Sequence, residues 1–250
     1  MKYPFLLLLA SLGLHAAVFE VKYSVSYWIL GRIGTTHLRL ETNNRHYRIH
    51  ATAELEGVAA LIARHHREHH TSEGVISSNG TLIPVQYDVN KTLDDYEDLK
   101  HYYFNRRQKR ILLKEHIKHE KIARRFDLNT MHFVTEKYTK KNRSTRLLSF
   151  YCENDLLTLY FNSEHPLKNL EGGDSIFFKA VGARHGDVHV TRLKKKNRFA
   201  VKLDQDIFKS KDGILFIESD DEMYVKNALF KDVLLFGDLE IKREYLKRSP

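Results

Sequence analysis

The chain has 250 residues, 42% of them hydrophobic and 11% aromatic, which suits a folded globular protein and excludes a disordered one. Its formal net charge of +9 is spread along the sequence rather than gathered in one tail. Cys152 is the only cysteine, so no intrachain disulfide forms and stability has to come from packing; in "LLSFYCENDLL" it reads as a small buried apolar residue.

The chain opens on "MKYPFLLLLASLGLHAA", where Lys2, an apolar run from Phe5 to Leu14 and the small pair Ala16-Ala17 stand in the order of a secretory signal peptide. The run is shorter than the roughly 20 residues of a spanning helix. Residues 1–17 are therefore expected to be a leader, and 18–250 a single exported β-rich domain of the periplasm. No cysteine at the cleavage region offers a lipid anchor. Export also makes nucleic acid an unsuitable partner for the basic charge, and leaves anionic head groups at a membrane surface as suitable ones.

From Phe19 to Ile29, Phe19, Val21, Tyr23, Val25, Tyr27 and Ile29 alternate with polar residues, the period-2 pattern of a half-buried strand. "GRIGTTHLRLE" and "HYRIHATAE" read as the next two strands, divided by Asn43-Asn44. "GVAALIA" (57–63) fits a turn or two of helix, and Ala63 to Ile76 reads as extended chain. "TLIPVQYDV", "DLKHYYFN", "RILLKEHI", "KIARRFDLN" and "MHFVTEKYT" follow as strands, with "RRQKR" (106–110) as a solvated hairpin tip. "ENDLLTLYFNSE" (153–164) sets Leu156, Leu157, Tyr160 and Phe161 at helical spacing, with Asn154 or Asp155 as N-cap and Pro166 as its end. "SIFFKAVG", "DVHVTRL", "RFAVKLD", "GILFIES" and "VLLFGDLEIKRE" read as strands, with "KKKNR" (194–198) at another tip. The fold class expected from this pattern is mainly β, a single domain with one or two short helices packed on an antiparallel sheet.

"GRIGTTHL", "EGVAALIARHHREHHTSEGVI" followed by "GTLIPVQY", "NDLLTLYF", "DIFKSKDGILFIESDD" and "KDVLLFGDLEI" resemble, in that order and spacing, bacterial domain-of-unknown-function family 3108. The likeness runs from about Val18 to Glu244. It implies an exported, envelope-associated protein on a curved antiparallel sheet similar to the half-barrels of lipoprotein carriers, and carries over no activity, cofactor or catalytic residue.

His65, Glu68 and His69 spell H-x-x-E-H, the zinc signature of the inverted zinc peptidases, and His66 and His70 flank it. That chemistry needs a helix, where residues four apart share a face; in a strand they lie roughly 13 Å apart at about 3.3 Å per residue. Strands chelate through i, i+2 pairs, and histidines 65, 66, 69 and 70 contain none. The segment is read as polar strand, with a metal held by His65, His66, His69 and His70 as the alternative. "GGDSIFF" contains a Gly-Asp-Ser but leads into a strand at Ser175, and Asp94, Asp95, Glu97 and Asp98 read as a charged turn without the spacing of a calcium loop. No cofactor is implied.

The aromatic residues carry the remaining signal. Tyr23, Tyr27, Tyr87, Tyr160 and Phe161 are the candidate ligand-binding residues of a concave apolar face able to hold a lipid-like ligand or a lipoprotein segment. The function expected is non-enzymatic binding in the envelope. Alternatives are an assembly factor that pairs a sheet edge with an envelope protein, and a metal-dependent hydrolase centred on the histidines.

Overall fold

The computed structural model describes residues 17–127, 131–183, 186–203, 213–233 and 237–249. The expected leader lies outside them except for Ala17.

Fifteen strands form one sheet. In chain order the elements are β1 Ala17–Tyr27, β2 Gly31–Thr42, β3 His46–Leu55, α1 Gly57–Ile62, β4 Arg67–Ile76, β5 Leu82–Leu93, β6 Tyr96–Asn105, β7 Arg110–Asp127 and β8 His132–Leu147. They continue with β9 Asn154–Asp155, α2 Leu156–Asn162, α3 Glu164–Lys168, β10 Ser175–Val181, β11 Asp187–Arg192, β12 Arg198–Leu203, β13 Ile214–Ser219, β14 Val225–Val233 and β15 Gly237–Ser249. The strand order is β8-β7-β6-β5-β4-β3-β2-β1-β15-β14-β13-β12-β11-β10-β9. The two-residue β9 lies parallel to β10, and the other neighbouring pairs are antiparallel. The chain thus winds outward from β1 to β8, crosses through 148–174, and winds back until β15 pairs with β1. The sheet is mainly antiparallel and not closed.

Period-2 burial explains the central strand. Phe19, Val21, Tyr23, Val25 and Tyr27 are buried on one face while the residues between them are half-exposed. Burying a large apolar side chain contributes roughly 1.5–3 kcal/mol, so a one-residue slip of β1 would expose the whole row. At Gly74 on β4 a bulge brings the chain so close to β5 that a Cβ would lie 2.0 Å from the Ile83 carbonyl oxygen.

The sheet rolls up. Nine strands separate β5 from β10 in the order, yet Tyr87 on β5 packs with Val181 at the end of β10, together with Ile111 and Cys152. Gly182, at φ +105°, makes this approach possible: a Cβ there would sit 2.9 Å from Leu156 Cδ1 and 3.0 Å from the Tyr87 hydroxyl. Inside the roll, α2 joins both halves. Leu157, Tyr160 and Phe161 pack on the β1–β3 cluster and Leu159 on the β10–β12 cluster.

The structure departs from the sequence reading in five places. β1 ends at Tyr27, so Ile29 lies in a turn and is 78% exposed rather than inward. "RILLKEHI" and the described part of "KIARRFDLN", up to Asp127, belong to one strand, β7, because the polar stretch between them pairs with β8 instead of turning; 128–129 lie outside the described residues. "VLLFGDLEIKRE" is shared between β14 and β15. Extended chain begins at Arg67; 63–66 form a turn in which Arg64 and His65 have positive φ. Pro166 does not end the helix region but sits in the first turn of α3, where its missing N–H costs nothing.

Candidate functional site

The five aromatic residues fall into three clusters. Tyr23 and Tyr160 meet with hydroxyls 3.1 Å apart, and the Tyr23 hydroxyl donates to the Val225 carbonyl at 3.2 Å. Phe161 stands edge-on to Phe19 and to Tyr160. Tyr27 lies farther along β1 in a separate cluster with Ile33, Phe230 and Leu239. Tyr87 is fully buried under the crossing segment. The structure therefore brings Tyr23, Tyr160 and Phe161 together, and the group they form is closed by α2.

What holds α2 there is a buried polar clamp. Asp155, 0% exposed, caps the helix by accepting from the Leu157 and Thr158 N–H groups at 2.9 Å each, and Thr158 completes a capping box. Its second oxygen accepts from Ser72 on β4 at 2.7 Å, and Ser72 lies 3.1 Å from the Tyr47 hydroxyl on β3. Burial pushes the Asp155 carboxyl above its ordinary range, against these hydrogen bonds, and pushes the Tyr47 hydroxyl well above the usual phenol value. At the other end of α2, Asn162 bonds both the N–H and the carbonyl of Leu82.

The histidines part company. His65 lies in the turn, 2.8 Å from Asp94. His69 is on the exposed side of β4, and Glu68 is buried on the other, so the members of H-x-x-E-H point apart. His66 and His70 instead both reach Glu68, at 2.9 and 3.2 Å, with Lys91 Nζ at 3.0 Å. Burial works to raise the Glu68 carboxyl, but His66, His70 and Lys91 outweigh it and hold the group well below the usual carboxylate range. An ionised Glu68 only accepts, so a neutral His70 donates from Nε2 and accepts the Tyr87 hydroxyl proton at Nδ1, 2.7 Å away. This Tyr-His-Glu line has the connectivity of a proton relay, but Tyr87 is sealed from solvent and its hydroxyl is raised well above its ordinary value. The line acts as a pin between β4 and β5. Among the described residues no three His, Cys, Asp or Glu side chains are placed to hold a metal ion.

Glu68 also opens a ladder of alternating charge on the inner face. It faces Lys91 in register, Lys91 faces Asp98, and Lys100 reaches Asp98 at 2.9 Å and Glu115 at 3.4 Å. The inner face that α2 leaves uncovered in β4–β7 is thus polar, not the apolar trough expected. A cleft of about 590 Å³ beside the β2–β3 turn has a mixed lining, with Val75, Val85 and Tyr47 beside the Arg48–Glu73 pair at 2.8 Å. Cys152 is buried and its thiol is pushed up to about 11, which removes it as a nucleophile.

The exposed apolar surface is elsewhere, at one end of the sheet. Trp28 (90% exposed), Ile29 and Leu30 form the β1–β2 turn. Val58, Leu61 and Ile62 project from α1 at 59–66% exposure. The two groups are neighbours: Glu56, which precedes α1, donates its N–H to the Ile33 carbonyl at 2.7 Å and pairs with Arg32 at 3.2 Å. Sequence reasoning missed this rim because an apolar turn following an alternating strand reads as more strand. The signal available was Gly31, whose φ of +66° marks the reversal. His66, Glu68 and His70 were also readable, as an H-x-E-x-H alternation that places all three on one strand face.

No known protein-family model matches the chain. No curated protein matches it either.

Proposed function

We propose that the chain is a non-enzymatic protein of the bacterial envelope that binds a lipid-like or extended apolar ligand. The observation that carries the reading is the apolar rim. Six large apolar side chains of the β1–β2 turn and α1 stand in water on two adjoining elements, whereas other exposed apolar residues such as Val85, Leu147 and Phe177 lie on separate strands. An acyl chain or an apolar segment laid across Trp28 and Leu61 would remove that surface from water at roughly 25 cal/mol per Å². In this reading a ligand would reach Tyr23 only after α2, which carries Tyr160 and Phe161, moved aside, and the rim is the first contact.

Native mass spectrometry of protein extracted gently from cells tests the reading. A co-purifying lipid, or saturable uptake of a fluorescent fatty-acyl probe, supports it; neither one appearing would remove it.

A second reading has one observation of its own. β8 is sixteen residues long and among the described residues its strand partner is β7 alone, so its outer edge offers a place for a strand from an envelope partner. Crosslinking in cells separates the two, because edge pairing gives one dominant protein adduct.

A further inference from the structure

The apolar rim continues into a basic hairpin, and together they have the composition of a membrane-docking surface. Behind α1, Arg64 pairs with Asp95 in the β5–β6 turn, and the Asp94 N–H donates to the Arg64 carbonyl at 3.1 Å. Asp95 in turn accepts the Glu120 N–H at 2.8 Å and lies 3.6 Å from His119, both on β7. The β1–β2 turn, α1, the β5–β6 turn and the middle of β7 are therefore tied along one end of the sheet.

β6 begins at Tyr96, whose partner on β7 is His119. The rest of β7, with the strand paired to it, projects roughly 26 Å beyond that end at about 3.3 Å per residue. Residues 118–147 hold nine lysines and arginines against three acids, a net +6 within a chain of net +9, and five of the nine (Lys118, Lys140, Lys141, Arg143 and Arg146) stand at the root of the hairpin, level with the end of the sheet, rather than on its projecting part. Register sets like charges face to face where Lys118 stands opposite Lys141. Directly opposed like charges destabilise a sheet, and an external array of anions relieves them. Exposed Ile122 lies opposite exposed Lys137, and Met131 is exposed near the tip.

We propose that this end of the molecule docks on an anionic lipid bilayer, with the β7–β8 hairpin supplying the attraction and Trp28, Ile29, Leu30, Leu61 and Ile62 entering the head-group region. The charge complementarity selects an anionic surface over a neutral one. A tryptophan beside aliphatic residues at an exposed turn suits the interface between water and hydrocarbon. The inference rests on the reading that the rim contacts lipid, and specifies the form in which that lipid is met.

Trp28 is the only tryptophan of the chain, so its emission reports the rim directly. Protein purified from cells is titrated with vesicles of phosphatidylglycerol and phosphatidylethanolamine, and in parallel with phosphatidylcholine vesicles. Docking gives flotation with the anionic vesicles at low salt, a shift of Trp28 emission to shorter wavelength, and loss of both in high salt. Lys137→Glu with Lys140→Glu and Lys141→Glu weakens binding about 100-fold, at about 1 kcal/mol per basic residue near an anionic surface. Leu61→Ser with Ile62→Ser leaves the electrostatic attraction but diminishes the shift. Absence of flotation overturns the proposal, and so does flotation with Trp28 emission unchanged. Retention of an acyl probe without vesicle binding sinks the docking and leaves the ligand reading; vesicle binding without any acyl ligand does the reverse.

Discussion

The hydroxyls of Tyr23 and Tyr160 lie 3.1 Å apart and join the first strand of the sheet to the helix inside it. That contact, with Phe161 edge-on to Phe19, closes the inner face over the β1–β3 cluster. Tyr160→Phe should cost about 1 kcal/mol, the net worth of a hydrogen bond, whereas Tyr160→Ala should cost about 3–5 kcal/mol through the cavity it leaves. Urea unfolding followed by circular dichroism measures both; equal effects would mean that the ring does not pack where it is described.

Asp155 is the anchor of the same helix. Asp155→Ala removes the cap and leaves the Ser72 hydroxyl and two N–H groups without their acceptor, so a loss of about 3 kcal/mol or more is expected. Asp155→Asn keeps an acceptor and should lose less. The order of the two unfolding midpoints is the check.

Glu68 makes the stability depend on pH in a definite direction. Its folded carboxyl is held below the ordinary 4.5, so its contribution is present above that value and disappears as the pH falls into the folded titration. Glu68→Gln should therefore destabilise by about 2–3 kcal/mol at pH 7, with His66, His70 and Lys91 deprived of their anion, and the gap from wild type should narrow steadily below pH 4.5. Chemical unfolding at a series of pH values reads this out. A gap that stayed constant down to pH 3 would show that Glu68 is not ionised against its neighbours.

Gly182 sits where the rolled ends meet. Gly182→Ala places a methyl group against Leu156 and the Tyr87 hydroxyl at positive φ, and should cost about 2 kcal/mol or more. Gly31→Ala, also at positive φ but with nothing within 4 Å of its Cβ, should cost only the backbone strain, about 1 kcal/mol. The difference between these variants in thermal melts isolates the steric part.

How much of this was legible depends on the kind of contact. Alternation along Phe19–Tyr27 identified β1 because one face is buried, and Asp155 was readable as a cap because a carboxylate before "LLTLYF" has an obvious use. The continuous β7 was not, since the polar stretch Lys118–Lys121 in its middle reads as a turn, and its pairing with β8 is what keeps it extended. Curvature of the sheet was expected from the family resemblance, but the contact that closes the roll, Tyr87 meeting Val181 across nine intervening strands, was not, because no local pattern encodes it. In the histidine segment the helical spacing of His65 and His69 drew attention away from His66, Glu68 and His70, whose strand spacing is the one the structure uses. The rim was hidden for a similar reason: Trp28, Ile29 and Leu30 are as apolar as a core strand, and only exposure distinguishes them.

The most direct measurement is quenching of Trp28 by a fatty acid carrying a nitroxide on its acyl chain. Ligand contact at the rim predicts saturable quenching in the wild type and a clear loss of it in Leu61→Ser, whose fold should be intact because the side chain is 66% exposed. An acyl ligand that bound while leaving Trp28 emission untouched, or no binding at all, would contradict it.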